Sequence, residues 1–451
     1  MKAMVFTLAL AGAVAVVGCD GEDPADQTQE SVAALKHGGT GESPADDSAA
    51  TALGQQIFFD QRLSQNGNQA CAACHGPQVG WTGPDEDINK HGSVYEGSVA
   101  GRFGNRKPPS SAYATLAPLF NYDAANDAFV GGNFWDGRAT GWKLGNPAAD
   151  QAQGPFLNPV EQGLPNADAV VHLVCNGPYG SLFRRVWGHG ACAKTDEAYD
   201  DVALSVAAYE GSNQVNHFSS RFDAYAAGRA RLSPFEQFGY QLFTGKAKCS
   251  NCHTNKPEKP GKPPLFTDFT YDNLGVPRNP ENPFYRMDQV FVDGKPVNPQ
   301  GAAFVDQGLG GLLGQLAADG SWRSLPYVPD AIKQLDSDTL TVLAAANTGK
   351  EKVPTLRNVD KRPSPHFVKA YTHNGYFKSL AALVHFYNTR DVLPRCSHDV
   401  PERLALAARC WPAPEVPQNL NTVEVGNLHL SPAEEAALVA FLQTLSDTDA
   451  H

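Results

Sequence analysis

The sequence has little of what a nucleic-acid-binding or membrane-spanning protein needs. Its 451 residues include 36 lysines and arginines against 48 aspartates and glutamates, a formal net charge of −12. This deficit of positive charge argues against nucleic acid or an anionic membrane surface as a partner. The N-terminal apolar run, Ala3 to Val17, is too short for a confident membrane span. With 42% hydrophobic and 19% charged residues, the composition is that of a globular protein, and the length predicts two domains.

The N-terminus has the features of a targeting segment. Lys2 precedes the apolar run, and Val16-Val17-Gly18-Cys19 resembles a bacterial lipobox. We predict that residues 1–19 are a lipoprotein signal peptide with Cys19 as the lipidated residue; an ordinary secretory signal is the alternative. Both place the protein in the periplasm or at the cell surface, and contact with a membrane would then run only through the lipid. Residues 20–50 contain almost no large apolar residue and predict a flexible tether.

Four of the nine cysteines lie in Cys71-Ala72-Ala73-Cys74-His75 and Cys249-Ser250-Asn251-Cys252-His253. C-x-x-C-H is the attachment motif of c-type haem. The two thiols bind one porphyrin through thioether bonds, and the adjacent histidine, here His75 or His253, is the proximal ligand of the iron. We therefore predict two covalent haems. Zinc or disulfides are the alternatives, but zinc would not require either histidine.

The other cysteines fall into two local pairs once Cys19 is assigned to lipid. Cys175 lies near Cys192, and Cys396 lies near Cys410. In an oxidising compartment we expect each pair to form a disulfide that closes a short loop. The pairing rests on proximity in the sequence.

An internal repeat predicts the domain organisation. Gly54–Phe58 precedes the first haem motif and Gly239–Phe243 precedes the second. A closing helix is predicted at about 201–210 in the first unit and from Ser431 in the second. Ser431 and Ser233, which precedes the second repeat, each begin a Ser-Pro-x-Glu sequence, which is an N-cap signature. Helix, haem motif, loops and closing helix is the order of a cytochrome c domain.

We therefore predict a mostly α protein with two cytochrome c-like domains, residues 51–228 and 229–451. Each domain carries one covalent haem, and long Gly/Pro-rich loops fill the middle of both. The stretch 256–314 is the least legible; it could wrap the second haem or carry a binding surface.

Four further motifs stand out in the sequence: Phe134–Arg138, Gly154–Glu161, Val353–Asn358 and Tyr371–Gly375. Together they resemble the motifs of the bacterial di-haem cytochrome c peroxidase/MauG family, and the likeness extends from Thr51 to Leu445. The resemblance implies that the N-terminal haem meets hydrogen peroxide and that the C-terminal haem handles electrons.

The resemblance implies roles for residues near the first haem. Glu161 matches the family's distal acid/base, the group that moves a proton between the two oxygens of peroxide; taken alone, such a glutamate is more often a surface or capping residue. Gln151 and Pro155 match other positions of that pocket. Trp135 matches a tryptophan between the haems that could relay an electron; a core tryptophan is the alternative, and the two are compatible.

Methionine is scarce, which bears on the second haem. Family peroxidases usually place a methionine opposite its histidine, but of three methionines only Met287 lies outside the signal peptide, in a loop that matches no motif. Counting from His373 places Tyr387 at the ligand position, as in the MauG-like or MbnH-like branch. A tyrosinate would lower the haem potential and favour higher oxidation states of the iron. A packing tyrosine, with His385 as the ligand, is the alternative.

The roles of two further residues, His91 and Asn105, remain open. His91 lies where many family peroxidases carry a removable ligand of the first haem iron; an exposed loop histidine is the alternative. Asn105 matches the side-chain ligand of a calcium ion between the domains, but the partner segment 365–370 departs from the family pattern, so one calcium is only an added expectation.

The sequence predicts an enzyme that reduces hydrogen peroxide, with three versions left open. It could draw electrons from a redox protein such as a small cytochrome c or a cupredoxin. It could instead oxidise a tryptophan on a partner protein, as MauG-like and MbnH-like enzymes do; Tyr387 favours this version and a ligating His91 would favour the first. A non-enzymatic di-haem electron carrier is the third, and Glu161 and Trp135 argue against it.

Overall fold

The computed structural model describes residues 48–257 and 261–448, and over these ranges the protein is mostly helical. The predicted signal peptide, Cys19 and most of the predicted tether lie outside the described residues. In the described part, no helix is long and apolar enough to cross a membrane. The α-helices are α1 Ser48–Phe58, α2 Glu86–Lys90, α3 Pro147–Leu157, α4 Ala167–Cys175, α5 Gly180–Trp187, α6 Thr195–Gly211, α7 Arg221–Ala226, α8 Pro234–Thr244, α9 Gly308–Ala318, α10 Asp330–Lys333, α11 Ser337–Ala346, α12 Leu380–Thr389, α13 Glu402–Ala408 and α14 Pro432–Gln443.

Helix α1 begins before the predicted start of order. Residues 48–50, which we assigned to the tether, are helical, because Ala50 and Leu53 are fully buried in the first apolar cluster. A helical turn that buries apolar side chains is stabilised by packing even without a strong cap.

The few strands are short and pair in antiparallel twos. They are β1 Asn121–Asp123 with β2 Ala128–Val130, β3 Tyr271–Asp272 with β6 Glu351–Lys352, and β4 Phe291–Val292 with β5 Lys295–Pro296. The β3–β6 pair matters most for the site, because it aligns Tyr271 with Lys352 and Asp272 with Glu351. It thus joins two segments that are far apart in the sequence.

The helices that start with Ser-Pro-x-Glu begin as the sequence predicts. The Ser233 side chain accepts a hydrogen bond from the Glu236 backbone N–H, and the Glu236 carboxylate accepts one from the Ser233 N–H. Ser431 and Glu434 form the same capping box at the start of α14. Each cap contributes about 1 kcal/mol to helix stability.

The glycine of each repeat lies where the helix before a haem motif crosses the closing helix. A Cβ on Gly54 would lie 1.8 Å from the Ser205 carbonyl oxygen on α6, and one on Gly239 would lie 1.9 Å from that of Ala437 on α14. Only glycine permits so close an approach of two helix backbones. The repeat seen in the sequence therefore corresponds to the same helix crossing, formed twice.

Three apolar clusters hold the described chain together. The first contains α1 and α3–α6, and the second contains α7, α8 and α12–α14. The third joins Phe120 and Trp142 to α9–α11. Cys175 is bonded to Cys192, and Cys396 to Cys410, as the spacing suggests.

Candidate haem sites and the residues between them

The first haem motif forms a tight turn that presents its histidine to a cavity. Cys71–Ala73 is a single 3₁₀ turn, and Cys71, Cys74 and His75 all line one cavity. His75 Nδ1 lies 3.2 Å from the carbonyl oxygen of Trp81. A proton on Nδ1 that bonds this carbonyl leaves Nε2 free for iron. Burial lowers the pKa of His75 to about 4, which keeps the imidazole neutral and able to ligate.

The second motif repeats this arrangement. Cys249–Asn251 is again a 3₁₀ turn, and His253 Nδ1 lies 2.9 Å from the Phe266 carbonyl oxygen. Burial also lowers the pKa of His253. The four cysteines of the two motifs are unpaired, and burial raises the pKa of Cys71 and Cys249 to about 12.

These observations fit covalent haem better than the alternatives of disulfides or zinc. Among the described residues, the groups that approach one another closely enough to share a metal are Asp306, Glu351 and His373, and no motif cysteine is among them. Protonated thiols beside a neutral histidine, facing a mainly apolar cavity, suit thioether attachment and axial ligation. Bound haem would be held by the two cysteines and the histidine of each motif.

Two cavities surround the motif residues. The first haem cavity is lined by Cys71, Cys74, His75, Asn105, Trp135, Arg138, Gln151, Pro155, Glu161 and Glu210 among others. The second haem cavity is lined by Cys249, Cys252, His253, Trp135, Asp306, Glu351, His373, Tyr387 and Glu415 among others. Trp135 belongs to both, so the structure places it between the two sites.

Glu161 lies in the first haem cavity with a supported carboxyl group. Asn158 Nδ2 donates a hydrogen bond to Glu161 Oε1 at 3.0 Å. Burial raises the pKa of Glu161, although the charge of Arg138 and the bond from Asn158 oppose the shift. Arg138 is itself bound to Asp136 at 2.9 Å, and its guanidinium lies 3.8 Å from the centre of the Phe134 ring. A carboxyl group of raised pKa, aimed at a haem cavity, can both take and return a proton.

Gln151 and Pro155 reach the first haem cavity from one helix. Both lie on α3, which Asn146 caps by accepting a hydrogen bond from the Ala148 N–H. The helix ends at Leu157, so Glu161 follows within one short turn. The structure thus brings together the three residues that the family resemblance assigned to this pocket.

Trp135 is held rigidly by the backbone around it. Its Nε1 donates to the Lys107 carbonyl oxygen at 2.9 Å, and its own carbonyl oxygen accepts from the Lys352 N–H at 2.7 Å. The indole is 9% exposed. It is therefore a core residue and a residue between the cavities at once, and the two interpretations of the sequence are compatible.

Tyr387 and His385 lie on different faces of α12. Tyr387 lines the second haem cavity, and burial raises its pKa well above the usual range. His385 Nδ1 instead lies 3.1 Å from a carboxylate oxygen of Glu435. Residues two apart on a helix point in different directions. The structure thus brings Tyr387, and not His385, to the second haem cavity.

His91 is the predicted site residue that the structure keeps apart. It follows the last residue of α2, its ring is exposed, and it lines neither haem cavity. Its carbonyl oxygen accepts a hydrogen bond from Lys378 Nζ at 2.6 Å. In this arrangement the first haem cavity has no histidine opposite His75 among its lining residues.

The backbone carbonyls around Asn105 are partly engaged in hydrogen bonds. Asn105 lines the first haem cavity, and its carbonyl oxygen accepts from Asn282 Nδ2 at 2.9 Å. In the partner segment 365–370, the carbonyl oxygen of Val368 accepts from Asn89 Nδ2 at 3.2 Å. Calcium requires six to eight oxygen ligands, and these carbonyls already accept hydrogen bonds.

A buried lysine lies within the partner segment. Lys369 donates from Nζ to the Asn358 carbonyl oxygen at 2.7 Å. Burial, and then the charge of nearby Lys107, lowers the pKa of Lys369 well below the usual range. A calcium ion at Asn105 stays a prediction.

Several buried ionisable residues escaped the sequence analysis. Glu210, used only to mark the end of a helix, lines the first haem cavity, and burial raises its pKa to about 8. Arg106 joins Asp136 at 2.6 Å to Asp306 at 2.5 Å. Asp306 comes from the stretch that was least legible. In the sequence, only the motif Phe134–Arg138, which contains Asp136, indicated that residues of these ion pairs could belong to the site.

Comparison with known proteins identifies the class. Residues 48–231 match the family model described as di-haem cytochrome c peroxidase. The chain is 34% identical over 407 residues to methylamine utilization protein MauG of Paracoccus denitrificans (strain Pd 1222), covering 90% of each chain. It is 26% identical over 344 residues to cytochrome-c peroxidase IdrP1 of Denitromonas iodatirespirans, covering 75% of this chain and 72% of that one.

A solved structure agrees. The diheme peroxidase BthA from Burkholderia thailandensis E264 superposes with a TM-score of 0.66 at 28% identity, covering 89% of this chain and 86% of that one. The fold and paired haem motifs thus define a di-haem c-type peroxidase. The chain belongs to the di-haem cytochrome c peroxidase/MauG family, and the expected enzyme class, a haem peroxidase acting on peroxide, is confirmed.

Proposed function

We propose that hydrogen peroxide reacts at the His75 site and that oxidising equivalents are shared with the His253/Tyr387 site through Trp135. The observation that carries this proposal is the division of residues between the cavities. Glu161 and Gln151 line the first haem cavity, Tyr387 lines the second, and Trp135 lines both. A group for proton transfer therefore lies on one side of the tryptophan and a distal tyrosine on the other.

Bound haem would supply the iron that cleaves the O–O bond and stores the oxidising equivalents. Glu161 takes a proton from one peroxide oxygen and delivers it to the other, the leaving water. Asn158 orients the carboxyl for both steps, since it donates a hydrogen bond to one of its oxygens. Gln151 offers an amide on the same cavity wall to orient peroxide. Such proton transfer contributes about 100- to 10,000-fold to a rate.

We also propose that the chain forms two domains and lies outside the cytoplasm. Residues 51–228 and 229–451 would form two cytochrome c-like domains. The equivalent helix crossings at Gly54 and Gly239 support this division. The chain would lie in the periplasm or at the cell surface, anchored through Cys19, because c-type haem is attached outside the cytoplasm.

The electron source has two candidates. A redox protein, either a small cytochrome c or a cupredoxin, would make this an ordinary peroxidase. Oxidation of a tryptophan on a partner protein would make it MauG-like. The position of Tyr387 in the second haem cavity and the exposure of His91 favour the MauG-like version. Because the chain belongs to a family of haem peroxidases, we do not retain the third version, a di-haem electron carrier without enzymatic activity.

Low-temperature EPR of the resting diferric enzyme tests the proposal. We expect a high-spin signal from the His75 haem and a low-spin signal from the His253 haem, with both lost on adding peroxide. Tyr387→Phe should alter the low-spin signal alone, whereas His385→Gln, the matched control on the other face of α12, should not. Two low-spin haems that do not react with peroxide until one electron is added would indicate that His91 ligates the iron of the first haem. That result would contradict the proposal that the resting His75 haem can bind peroxide.

A second assay separates the two electron sources. The peroxide-treated enzyme is mixed with a reduced small c-type cytochrome or a reduced cupredoxin, and the return of the resting spectrum is followed. Fast, saturable return supports the peroxidase version. Return no faster than spontaneous decay, with both proteins, supports oxidation of a partner protein.

A further inference from the structure

A second group of ionisable residues lies in the second haem cavity, apart from the haem ligands. Asp306, Glu351 and His373 each place one oxygen or nitrogen within 4.8 Å of the others. They come from three separate segments: the turn before α9, strand β6 and the motif Tyr371–Gly375. All three line the cavity that His253 and Tyr387 also line.

Asp306 is already compensated by a cation of the protein. Arg106 Nε and Nη2 donate to its two carboxylate oxygens at 2.6 and 2.5 Å. Burial alone would raise the pKa of Asp306, but Arg106 outweighs it and the pKa lies well below its usual range. Arg106 also pairs with Asp136 at 2.6 Å. A metal ion at Asp306 would have to displace this bidentate pair, so the group is poorly suited to bind one.

Glu351 and His373 are not compensated in this way. Both carboxylate oxygens of Glu351 are buried and have no hydrogen-bond partner within the described ranges. His373 Nε2 lies 3.9 Å from a carboxylate oxygen of Glu415. A buried carboxylate without a hydrogen-bond partner is costly, and a proton on it removes most of that cost.

Burial and nearby charges shift the pKa of both Glu351 and His373. Burial, and then the charge of Asp306, raises the pKa of Glu351 to about 8; His373, Arg106 and Asp136 act on it as well. Burial opposes a charge on His373, but Glu351, Glu415 and Asp306 outweigh it and raise its pKa to about 9. Both shifts favour the protonated form of each residue.

The pair is also close to the path between the haems. Glu351 precedes Lys352, whose backbone N–H donates to the Trp135 carbonyl oxygen at 2.7 Å. On the other side, Asp136 follows Trp135 and is held by Arg106. Because Glu351 and Trp135 line the same buried cavity, a change of charge at Trp135 or at the second haem would act on Glu351 with little screening by water.

We propose that Glu351 and His373 form the proton-holding site of the second haem, which releases one proton as an electron leaves that haem and takes it back when the electron is restored. The proposal rests on the proposed function above. The electron reduces the first site, which the reaction with peroxide has oxidised. The O–H bond of Glu351 breaks, its proton passes to water, and both steps reverse when the external donor reduces the haem. Glu351 thus acts on the haem through its charge, as a positioning residue.

The test is a spectroelectrochemical titration of the second haem in the holoenzyme without peroxide, over the pH interval around 8 in which Glu351 titrates. We expect the wild-type potential to fall as pH rises, by one proton per electron, because a carboxylate stabilises the oxidised haem. Glu351→Gln should abolish this dependence. Glu402→Gln, a control at another buried glutamate that lies outside both cavities, should keep it. Glu210→Gln should alter only the first haem.

Two results would overturn the proposal: a Glu351→Gln enzyme that keeps the wild-type dependence, or one equivalent of a divalent cation in wild type that this variant lacks. If the variant does not load both haems, infrared difference spectra of the wild type decide. Loss of a protonated carboxylic acid band on oxidation of the second haem supports the proposal, and its absence refutes it. Peroxide plays no part in these measurements, so failure of the proposed peroxide chemistry would not imitate failure here.

Discussion

Replacement of Glu161 by glutamine should leave the haems in place and slow the reaction with hydrogen peroxide. The two side chains have the same shape, and the Gln carbonyl oxygen can still accept the 3.0 Å hydrogen bond from Asn158. The amide cannot take a proton from peroxide and return it. General acid–base catalysis contributes about 100- to 10,000-fold, so the barrier should rise by about 3–5 kcal/mol at 1.36 kcal/mol per tenfold.

Stopped-flow absorbance of the haem bands after mixing with peroxide measures this rate directly. The matched control is Glu197→Gln, because Glu197 is an exposed residue of α6 that pairs with Lys194 at 2.8 Å. It should react like the wild type. Because burial raises the pKa of Glu161, the wild-type rate should rise with pH as the carboxyl loses its proton and then level off. The Glu161→Gln rate should lack this rise.

A fully haem-loaded Glu161→Gln enzyme that reacts within tenfold of wild type, with the pH dependence retained, would refute the reasoning. Proton transfer would then belong to another group of the first haem cavity. Glu210 is the next candidate, since it lines that cavity and burial raises its pKa to about 8. Glu210→Gln would then be the slow variant.

Three further predictions concern stability, calcium and the first haem. Asp223→Ala should lower the free energy of unfolding by about 3–5 kcal/mol in urea titrations, because it leaves the buried Arg357 charge unpaired; a loss below about 1 kcal/mol would show that water compensates that charge. Treatment with a strong calcium chelator should change neither the haem spectra nor the peroxide rate, and a spectral change reversed by calcium would restore the calcium site at Asn105. His91→Ala should react with peroxide as the wild type does, since the ring is exposed; a gain in resting reactivity would show that His91 blocks the iron.

Much of the site could be predicted from the sequence because covalent attachment depends on local spacing. The C-x-x-C-H motifs and the capping boxes at Ser233 and Ser431 each involve residues a few positions apart. A turn or a cap is decided within that distance. The family resemblance then supplied Glu161, Gln151 and Trp135, and the structure gathers these three around the first haem cavity.

Other features depend on which distant segments meet, and only the tertiary structure decides them. The choice between Tyr387 and His385 depends on the face that α12 turns to the cavity, and Glu435 on α14 engages the histidine. His91 is exposed because α2 ends just before it. The ion pairs of Arg106 with Asp136 and Asp306 join three segments that no motif relates.

The same reason explains the buried ionisable groups. Glu351 follows a lysine and reads as a surface residue until β6 pairs with β3 and His373 packs against it. Its pKa follows from lost water and from charges that arrive from other segments, which a local pattern does not contain. The sequence by itself therefore predicted the two c-type haems that the family implies and the residues that would attach them. The packing of distant segments decided which ionisable groups face those cofactors, because burial and charge are set by the folded chain as a whole.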